Sequence, residues 1–424
     1  MVLMTAGESR MFLTQKKTLF GIVLLAWSLT ASGADTVRIA YIGMLSGPFA
    51  LVGEDILKSF RGAADMVNAQ GGALGNKQIE VVGFDGKGTP QDSVIALNQA
   101  IDQKFQFVTA AVSSVAHALS NTIAKHNERN PGQRVLFLDF QATDPALTES
   151  KCNFWHFRFA AHAGMELNVL TDYIARQSSV SRIYLINPDN PYGQAARSIA
   201  REMLAAKRPD IQIVGDDLIP LGKVKDFAPY VSKIRASAAD SVLTGNWGND
   251  LALFMKAGEE TGLRVNYYAL IAYLLGTPSV IAGSGSDRLK TITLGFNIND
   301  EKNPYRKYVA DFKTRYKAMS NFDYAPAIRV VEMLAKAIDQ AGTTDPLKVA
   351  YALEGMRYQG PGGETWMRAD DHQLIAPIEI ASLVKVGQTG VSYDVEGTGY
   401  GWKTEVRVEG KDTALPTTCR MDRP

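Results

Sequence analysis

The sequence predicts an α/β fold of two lobes, each built on a parallel sheet with helices on both faces. Short runs rich in β-branched residues alternate with amphipathic stretches, and the alternation restarts after about residue 160. Such alternation is typical of parallel sheets covered by crossover helices. Of the 424 residues, about 390 follow an N-terminal segment of 34. A single core stops growing at roughly 250–300 residues, so two lobes are expected.

The first 34 residues have the order of an export signal. Lys16 and Lys17 precede the apolar run 19–27, which is followed by small residues at 30–34. A basic stretch, a short apolar run and small residues are typical of a secretory signal peptide, and spanning a bilayer takes about 20 apolar residues. A buried N-terminal helix is the alternative. We expect cleavage before Ala34 or Asp35 and release of the mature chain outside the cytoplasm, with either Met1 or Met11 as the start.

The first half opens with a predicted strand at 37–43 and an amphipathic helix. Apolar residues three and four positions apart form one buried stripe on this helix, namely Ile56, Leu57, Phe60, Ala63, Ala64 and Val67. A glycine-rich segment at 71–76 ends the helix, and Asp92 opens the next one. The other strands predicted in this half are 79–84, 107–112 and 135–140.

The second half repeats the same order of elements. Four strands are predicted, at 182–186, 211–214, 241–244 and 267–271, with a helix at 251–260 among the intervening segments. A later helix carries Ile328, Val331, Leu334 and Ile338 on one face. A Gly/Pro-rich segment at 360–363 then leads to a β segment at 378–383.

Composition excludes several classes of function. The 45 basic residues nearly balance the 44 acidic ones, and no basic block is present, so a nucleic-acid partner, which needs clustered Lys and Arg, is not expected. The five histidines show no HxH, HExxH or CxxC spacing, so neither a metal site nor a cofactor is expected. Cys152 and Cys419 are an even pair in an exported chain and are expected to form a disulfide, with two free buried thiols as the alternative.

Polar loops follow the predicted strands of both lobes. Where two such sheets meet edge to edge, the carboxyl ends of their strands border a cleft at which loops and helix N-termini converge on a ligand. The loops expected there are Ser113–Ser114, Gln141–Asp144, Pro191–Gly193 and Asn246–Gly248.

Three stretches of the chain resemble the leucine/isoleucine/valine-type periplasmic binding proteins of ABC transporters. They are Ile39–Pro48 with Asn68–Lys77, Gln141–Thr148, and Pro191–Gln194. The resemblance runs over nearly all of residues 35–400. It implies the type I periplasmic binding fold, in which two Rossmann-like lobes are joined by a hinge of crossing strands. Lobe one would comprise 35–160 plus 297–362, and lobe two 161–296 plus 363–424.

The resemblance also implies a function and partners. We expect a monomeric, periplasmic solute-binding protein that closes on a small carboxylate-bearing molecule and delivers it to an inner-membrane ABC permease and its ATPase subunits. The ligand would be a branched-chain or other apolar amino acid, or a related amide or aromatic acid. A sensory module that signals to a membrane receptor is the alternative, because the same two lobes serve both purposes.

The family's binding residues map onto six positions. The hydroxyl of Ser113 and the segment Gln141, Ala142 and Thr143 would hold the ligand carboxylate, and Ser113 lies where a strand leads into a helix, near its positive end. The alternative for Ser113 is a plain helix N-cap. Tyr192 and Trp247 would close over the ligand as aromatic walls, with packing in the core as their alternative.

The sequence departs from the family at the acid that pairs with a ligand ammonium. The matching stretch, 268–273, has no acidic residue. Burying an ammonium without a partner costs several kcal/mol, so another acid replaces it or the ligand has no ammonium. The substitutes to consider are Asp144, Asp189, Asp250 and Asp323.

An enzyme is not expected. The sequence lacks the G-x-S-x-G, G-x-x-x-x-G-K-[ST] and H-E-x-x-H motifs. Ser113 and His117 are the one serine–histidine pair at helical spacing that could serve a cleft hydrolase.

Overall fold

The computed structural model describes residues 36–282, 286–294, 298–360, 362–388 and 390–424. The predicted export signal and its cleavage site lie outside the described residues. No helix in the described part of the chain is both long enough and apolar enough to cross a membrane.

The first sheet has five parallel strands in the order β2-β1-β3-β4-β5. Its central strands are buried on both faces, which explains why they read as nearly continuous apolar runs. The strands are β1 (Val37–Gly43), β2 (Ile79–Asp85), β3 (Phe107–Ala110), β4 (Leu136–Asp139) and β5 (His156–Arg158). The helices between them are α1 (Ala50–Asn68), α2 (Pro90–Asp102) and α3 (Ser113–Arg129).

Among the predicted boundaries in this half that differ from the structure, two have a clear local cause. Helix α2 begins at Pro90, before Asp92, because the Thr89 side chain accepts the N–H of Asp92 and caps the helix, and proline is suited to the first helical position. The strand predicted at 107–112 ends at Ala110, since Val112 takes a positive φ of 65° and turns the chain into α3.

The second sheet has seven strands in the order β15-β14-β10-β9-β8-β6-β7. Its strands are β6 (Arg182–Pro188), β7 (Gln212–Ile219), β8 (Ser241–Thr244), β9 (Asn266–Ala269), β10 (Leu289–Thr293), β14 (Ile378–Lys385) and β15 (Tyr400–Val408). Five strands are parallel, but β14 pairs antiparallel with both β10 and β15. The expected parallel pairing is found in these five strands, and the antiparallel pairs lie at one edge. Antiparallel neighbours need no crossover helix, which is why this edge has no helical signal in the sequence.

Five helices accompany the second sheet: α4 (Ala163–Ala175), α5 (Pro191–Lys207), α6 (Ala228–Ala236), α7 (Gly248–Glu260) and α8 (Thr277–Ile281). Three more follow as α9 (Val309–Tyr316), α10 (Ala325–Ala341) and α11 (Pro346–Leu353), and a short α12 (Gly410–Thr413) lies near the C-terminus. Short 3-10 turns occupy 145–148, 286–288 and 304–308.

A small third sheet contains β11 (Arg357–Gly360), β12 (Gly363–Met367) and β13 (Leu374–Ile375), all antiparallel. The predicted lobe boundary between 362 and 363 falls between β11 and β12, which pair with each other. The division into 35–160 plus 297–362 and 161–296 plus 363–424 stays a prediction.

The C-terminal tail returns to the first half of the chain. Cys152 and Cys419 are joined by a disulfide that links positions 267 residues apart. Arg368 Nη1 donates to the Leu415 carbonyl oxygen at 2.6 Å, and Arg423 Nε lies 3.0 Å from Glu354 Oε1. The tail is therefore held by both covalent and polar contacts.

Candidate functional site

A cavity lies where the carboxyl ends of strands from the first and second sheets face each other. It encloses about 520 Å³ of space free of protein atoms, including its mouth. We call it the central cavity, and its walls are Met44, Val52, Ile56, Ala111, Val112, Ser113, Phe140, Gln141, Thr143, Asn190, Tyr192, Trp247, Ile271 and Leu274. Five of the six predicted binding residues line it. Ala142 is the exception, being fully buried behind the wall.

Ser113 is the first residue of α3, but it does not cap that helix. Its Oγ accepts the backbone N–H groups of Thr143 at 3.2 Å and Asp144 at 3.1 Å, and no side chain caps the α3 N-terminus. The N-cap alternative is therefore wrong. Because both backbone groups donate to Oγ, its proton is left to donate to an acceptor in the cavity. The uncapped N–H groups of α3 add positive potential at the same point.

The loop after β4 is held by a buried carboxylate. Asp139 is fully buried, and its Oδ1 accepts the N–H groups of Gln141 at 3.1 Å and Ala142 at 2.7 Å. Its Oδ2 lies 3.0 Å from His156 Nε2. The backbone donors that the sequence assigned to a ligand carboxylate are thus used within the protein. The Thr143 hydroxyl, by contrast, has no hydrogen-bond partner among the described residues.

Arg158 fixes the far side of the same loop. This side chain is 0% exposed, and its guanidinium donates to the carbonyl oxygens of Ala142 at 3.0 Å and Asp144 at 2.6 Å. It also donates to Gln373 Oε1 at 2.8 Å and to the Thr148 hydroxyl. A planar cation with five fixed donors suits such convergent carbonyls, so Arg158 determines where Thr143 stands.

His117, the candidate base of the hydrolase alternative, contacts Asp144 and not Ser113. Its Nε2 lies 2.6 Å from Asp144 Oδ2. Although burial opposes it, the hydrogen bond from His117 lowers the pKa of Asp144. Ser113 and His117 each have other partners, and no nucleophile–base contact between them is present among the described residues.

Aromatic side chains form the second-sheet wall. Tyr192 lies in the first turn of α5, which is capped by the Asn190 side chain accepting the Gly193 N–H. Trp247 precedes α7, and its ring centroid lies 4.5 Å from that of Phe49 on the opposite side of the cleft. Phe49 was not predicted, because an isolated phenylalanine between proline and alanine has no pattern that separates it from the core.

Residues 36–388 match the model of the periplasmic binding proteins. The chain belongs to this family. It is an extracytoplasmic solute-binding protein, as membership of this family shows, and its two sheets with the cleft between them agree with the type I fold.

Two curated relatives cover most of this periplasmic binding protein. Leu/Ile/Val-binding protein homolog 4 of Brucella melitensis is 28% identical over 416 residues, covering 95% of this chain and 98% of the relative. The leucine-, isoleucine-, valine-, threonine- and alanine-binding protein of Pseudomonas aeruginosa is 26% identical over 332 residues, covering 78% and 85%.

Two solved structures share the fold. The closed form of the leucine-, isoleucine-, valine-, threonine- and alanine-binding protein from Brucella ovis has a TM-score of 0.79 at 27% identity, covering 92% of this chain and all of that one. A solute-binding protein from Rhodopseudomonas palustris, solved with 3,4-dihydroxybenzoic acid, has a TM-score of 0.73 at 17% identity, covering 89% and 98%.

The acids that the sequence offered as substitutes do not line the central cavity of this periplasmic binding protein. Asp144 pairs with His117, and exposed Asp189 accepts the Gln194 side chain at 3.0 Å. Asp250 is fully buried and accepts the Gly222 N–H at 2.8 Å. Asp323 lines a neighbouring cavity.

A further buried acid was not predicted from the sequence. Glu166, in the first turn of α4, is 1% exposed, and its Oε2 has no hydrogen-bond partner. Burial raises its pKa to about 8. Burial and the nearby Glu166 charge raise the pKa values of Tyr192 and Tyr273. Sequence alone could not find Glu166, since a glutamate early in a helix usually serves the helix dipole.

Proposed function

We propose that this periplasmic binding protein captures one small carboxylate-bearing ligand in the central cavity and delivers it to an ABC permease. Export through residues 1–34 would place it in the periplasm, where it would act as a monomer and present its closed form to the permease and its ATPase subunits. The observation that carries the proposal is the pair of hydroxyls, Ser113 and Thr143, set beside an uncapped helix N-terminus in an otherwise mostly apolar cavity.

The chemistry of this corner favours an anion. Ser113 accepts two N–H groups and so directs its proton outward, while the Thr143 hydroxyl is available beside it. Helix N-termini bind carboxylates through their N–H groups and dipole. The corner contains donors and no carboxylate among its lining residues, so a ligand carboxylate would be stabilised there.

The rest of the cavity selects the ligand body. Met44, Ile56, Ile271 and Leu274 offer apolar surface, and Trp247 provides an aromatic wall. Such a pocket suits a branched aliphatic chain or an aromatic ring. Names of the relatives point to leucine, isoleucine and valine, and one fold neighbour holds 3,4-dihydroxybenzoic acid, so both classes belong in a screen.

A thermal-shift screen of the mature chain tests the proposal. We expect an increase in Tm with at least one member of a panel containing leucine, its deaminated analogue 4-methylpentanoate, benzoate and hydroxybenzoates, because a ligand that binds only the folded state stabilises it. Leucine amide is the matched control that lacks the carboxylate. Equal shifts with leucine and leucine amide would contradict the carboxylate site.

Thr143→Val and Thr143→Ser separate the hydroxyl from the side-chain volume. Removing the hydroxyl is expected to weaken the ligand found in the screen by about 10- to 100-fold, the usual effect of losing a hydrogen bond to a charged group. Thr143→Ser keeps the hydroxyl and should stay within a few-fold of the wild type. Isothermal titration calorimetry measures both. If the two variants bind alike, Thr143 does not hold the ligand.

A further inference from the structure

A second cavity adjoins the central one along α1 and the segment before α10. It encloses about 970 Å³ of space free of protein atoms, including its mouth, and shares the walls Val52, Ile56 and Leu274 with the central cavity. We call it the acidic compartment. Its acidic lining residues are Asp55, Asp323, Glu379 and Glu396, and none of its described lining residues is Lys, Arg or His.

Three of these four acids have only neutral partners among the hydrogen bonds found. Glu379 is the exception, since Arg407 Nη1 lies 2.8 Å from its Oε1. Asp55 Oδ1 accepts the Ser320 hydroxyl at 2.6 Å. Glu396 accepts the backbone N–H groups of Gly276 at 2.8 Å and Ser279 at 2.9 Å. Asp55, Asp323 and Glu396 therefore give the compartment a negative potential when they are ionised, and no cationic side chain is among its described lining residues.

A buried amide oxygen in the same wall also accepts no hydrogen bond. Asn321 is 1% exposed, and its Nδ2 donates to the Asp394 carbonyl oxygen at 3.0 Å, but its Oδ1 has no partner. Leaving a buried acceptor unpaired costs about 1–3 kcal/mol. A ligand with N–H donors would satisfy this oxygen and the neighbouring carboxylates together.

A metal ion does not fit this lining. Among the described residues, no group of three or more His, Cys, Asp or Glu side chains is arranged to hold one. The acids are spread around the walls of a large space rather than converging on a point. An organic cation with several N–H donors matches that spread better than a compact ion.

A short chain of hydrogen-bonded side chains lies between the two cavities. Tyr324 Oη donates to Gln141 Oε1, and the Gln141 amide nitrogen donates to the Tyr273 hydroxyl. Gln141 lines the central cavity. Tyr273, Tyr324 and Asp323, the residue before Tyr324, line the acidic compartment. A ligand that reached from Ser113 into the acidic compartment would meet no acid among the lining residues of the central cavity and four among those of the compartment.

We propose that the ligand is a zwitterion whose carboxylate and cationic nitrogen are separated by several methylene groups. The carboxylate would lie at Ser113 and Thr143, and the ammonium or guanidinium group would lie in the acidic compartment, bound by Asp323, Asp55 and Asn321. This inference rests on the proposed function, because the carboxylate end uses the same hydroxyls. The acids that balance the ligand's positive charge would then be Asp55 and Asp323, which lie outside the stretch 268–273.

The raised pKa values of two acids in the compartment are consistent with this arrangement. Burial, with the nearby Asp55 charge, raises the pKa of Asp323 to about 7, although Lys313 opposes the shift. Burial also raises the pKa of Asp55 to about 6, with Glu396 adding to the shift and Ser320 and Lys58 opposing it. A bound cation favours the ionised carboxylates, so binding should release protons, and affinity should rise as the pH increases from 5 to 8.

A matched pair of probes tests the inference: 6-aminohexanoate and hexanoate, titrated calorimetrically into the mature chain at pH 8. We expect 6-aminohexanoate to bind about 10- to 100-fold more tightly. Asp323→Asn should remove most of that preference while leaving hexanoate within about twofold, and Asp102→Asn, at an exposed position, should change neither. Thr143→Val should weaken both probes, and affinity for 6-aminohexanoate should fall toward pH 5.

The outcomes separate this inference from the proposed function. If leucine or benzoate binds but no ω-amino carboxylate of four to eight carbons does, the zwitterion is wrong and the carboxylate site stands. Equal affinity for 6-aminohexanoate and hexanoate, or an unchanged preference in Asp323→Asn, also overturns the inference. If 1,5-diaminopentane binds in a manner that depends on Asp323 and no carboxylate binds, both the zwitterion and the proposed function fail.

Discussion

Replacing Arg158 with methionine is expected to lower the free energy of unfolding by about 3–5 kcal/mol, the usual effect of removing one partner from a buried charged network. The guanidinium is fully buried and donates to two carbonyl oxygens, to Gln373 and to Thr148. Methionine fills a similar length but donates nothing, so these acceptors would be left unpaired in the interior.

Urea unfolding followed by tryptophan fluorescence measures this loss. Arg176→Met is a matched control, because Arg176 is exposed at the end of α4, and surface substitutions usually change stability by less than about 0.5 kcal/mol. A loss of under 1 kcal/mol in Arg158→Met would show that the carbonyls find other donors. The variant should also bind ligand more weakly, since the loop carrying Thr143 depends on this network.

Replacing Glu166 with glutamine is expected to raise the free energy of unfolding at pH 8 by about 3–5 kcal/mol. Burial raises the Glu166 pKa from 4.5 to about 8. Between these values the unfolded chain ionises while the folded chain retains the proton, so stability falls by about 1.4 kcal/mol for each pH unit. The contribution is fully present below pH 4.5 and is lost as the pH rises through 8. Glutamine does not titrate, so it avoids this loss.

The pH dependence identifies the source of the effect. Wild type and Glu166→Gln should have similar stability at pH 4.5 and diverge progressively up to pH 8, as measured by urea unfolding across that range. The exposed Glu128→Gln, in α3, should follow the wild type throughout. A constant difference at every pH would mean that the substitution acts through packing and that Glu166 does not take up a proton on folding.

Arg158 and Glu166 are expected to have opposite effects on stability. Arg158 has a partner for each of the donors described above, and stabilises the loop that carries Thr143. Glu166 has an unpaired oxygen, and its burial is costly. A buried ionisable group with an unpaired oxygen persists mainly where a site requires it, so Glu166 warrants inclusion among the variants tested for ligand binding.

The sequence predicted loops that line the central cavity because its signals are local. Ser113 and Thr143 follow strands of the first half, and Tyr192 and Trp247 follow strands of the second. Strand ends in parallel sheets share one edge, so the order of elements already predicts that these residues approach a common cleft. The strand boundaries shifted by a few residues, as at Ala110, where the positive φ of Val112 ends the strand.

What the sequence by itself determined is the alternating α/β order, the two sheets, the cysteine pair and, among the residues that line the central cavity, five of the six that were predicted to bind ligand. Tertiary structure alone decided which polar groups are already satisfied: Ser113 accepts two N–H groups from a loop 30 and 31 residues away, and Asp139 uses the backbone donors of Gln141 and Ala142. It also brought Asp55, Asp323 and Glu396 to one compartment, from positions up to 341 residues apart (396 − 55). Hydrogen bonding and charge depend on distances in space, and for such separations no local pattern in the sequence encodes them.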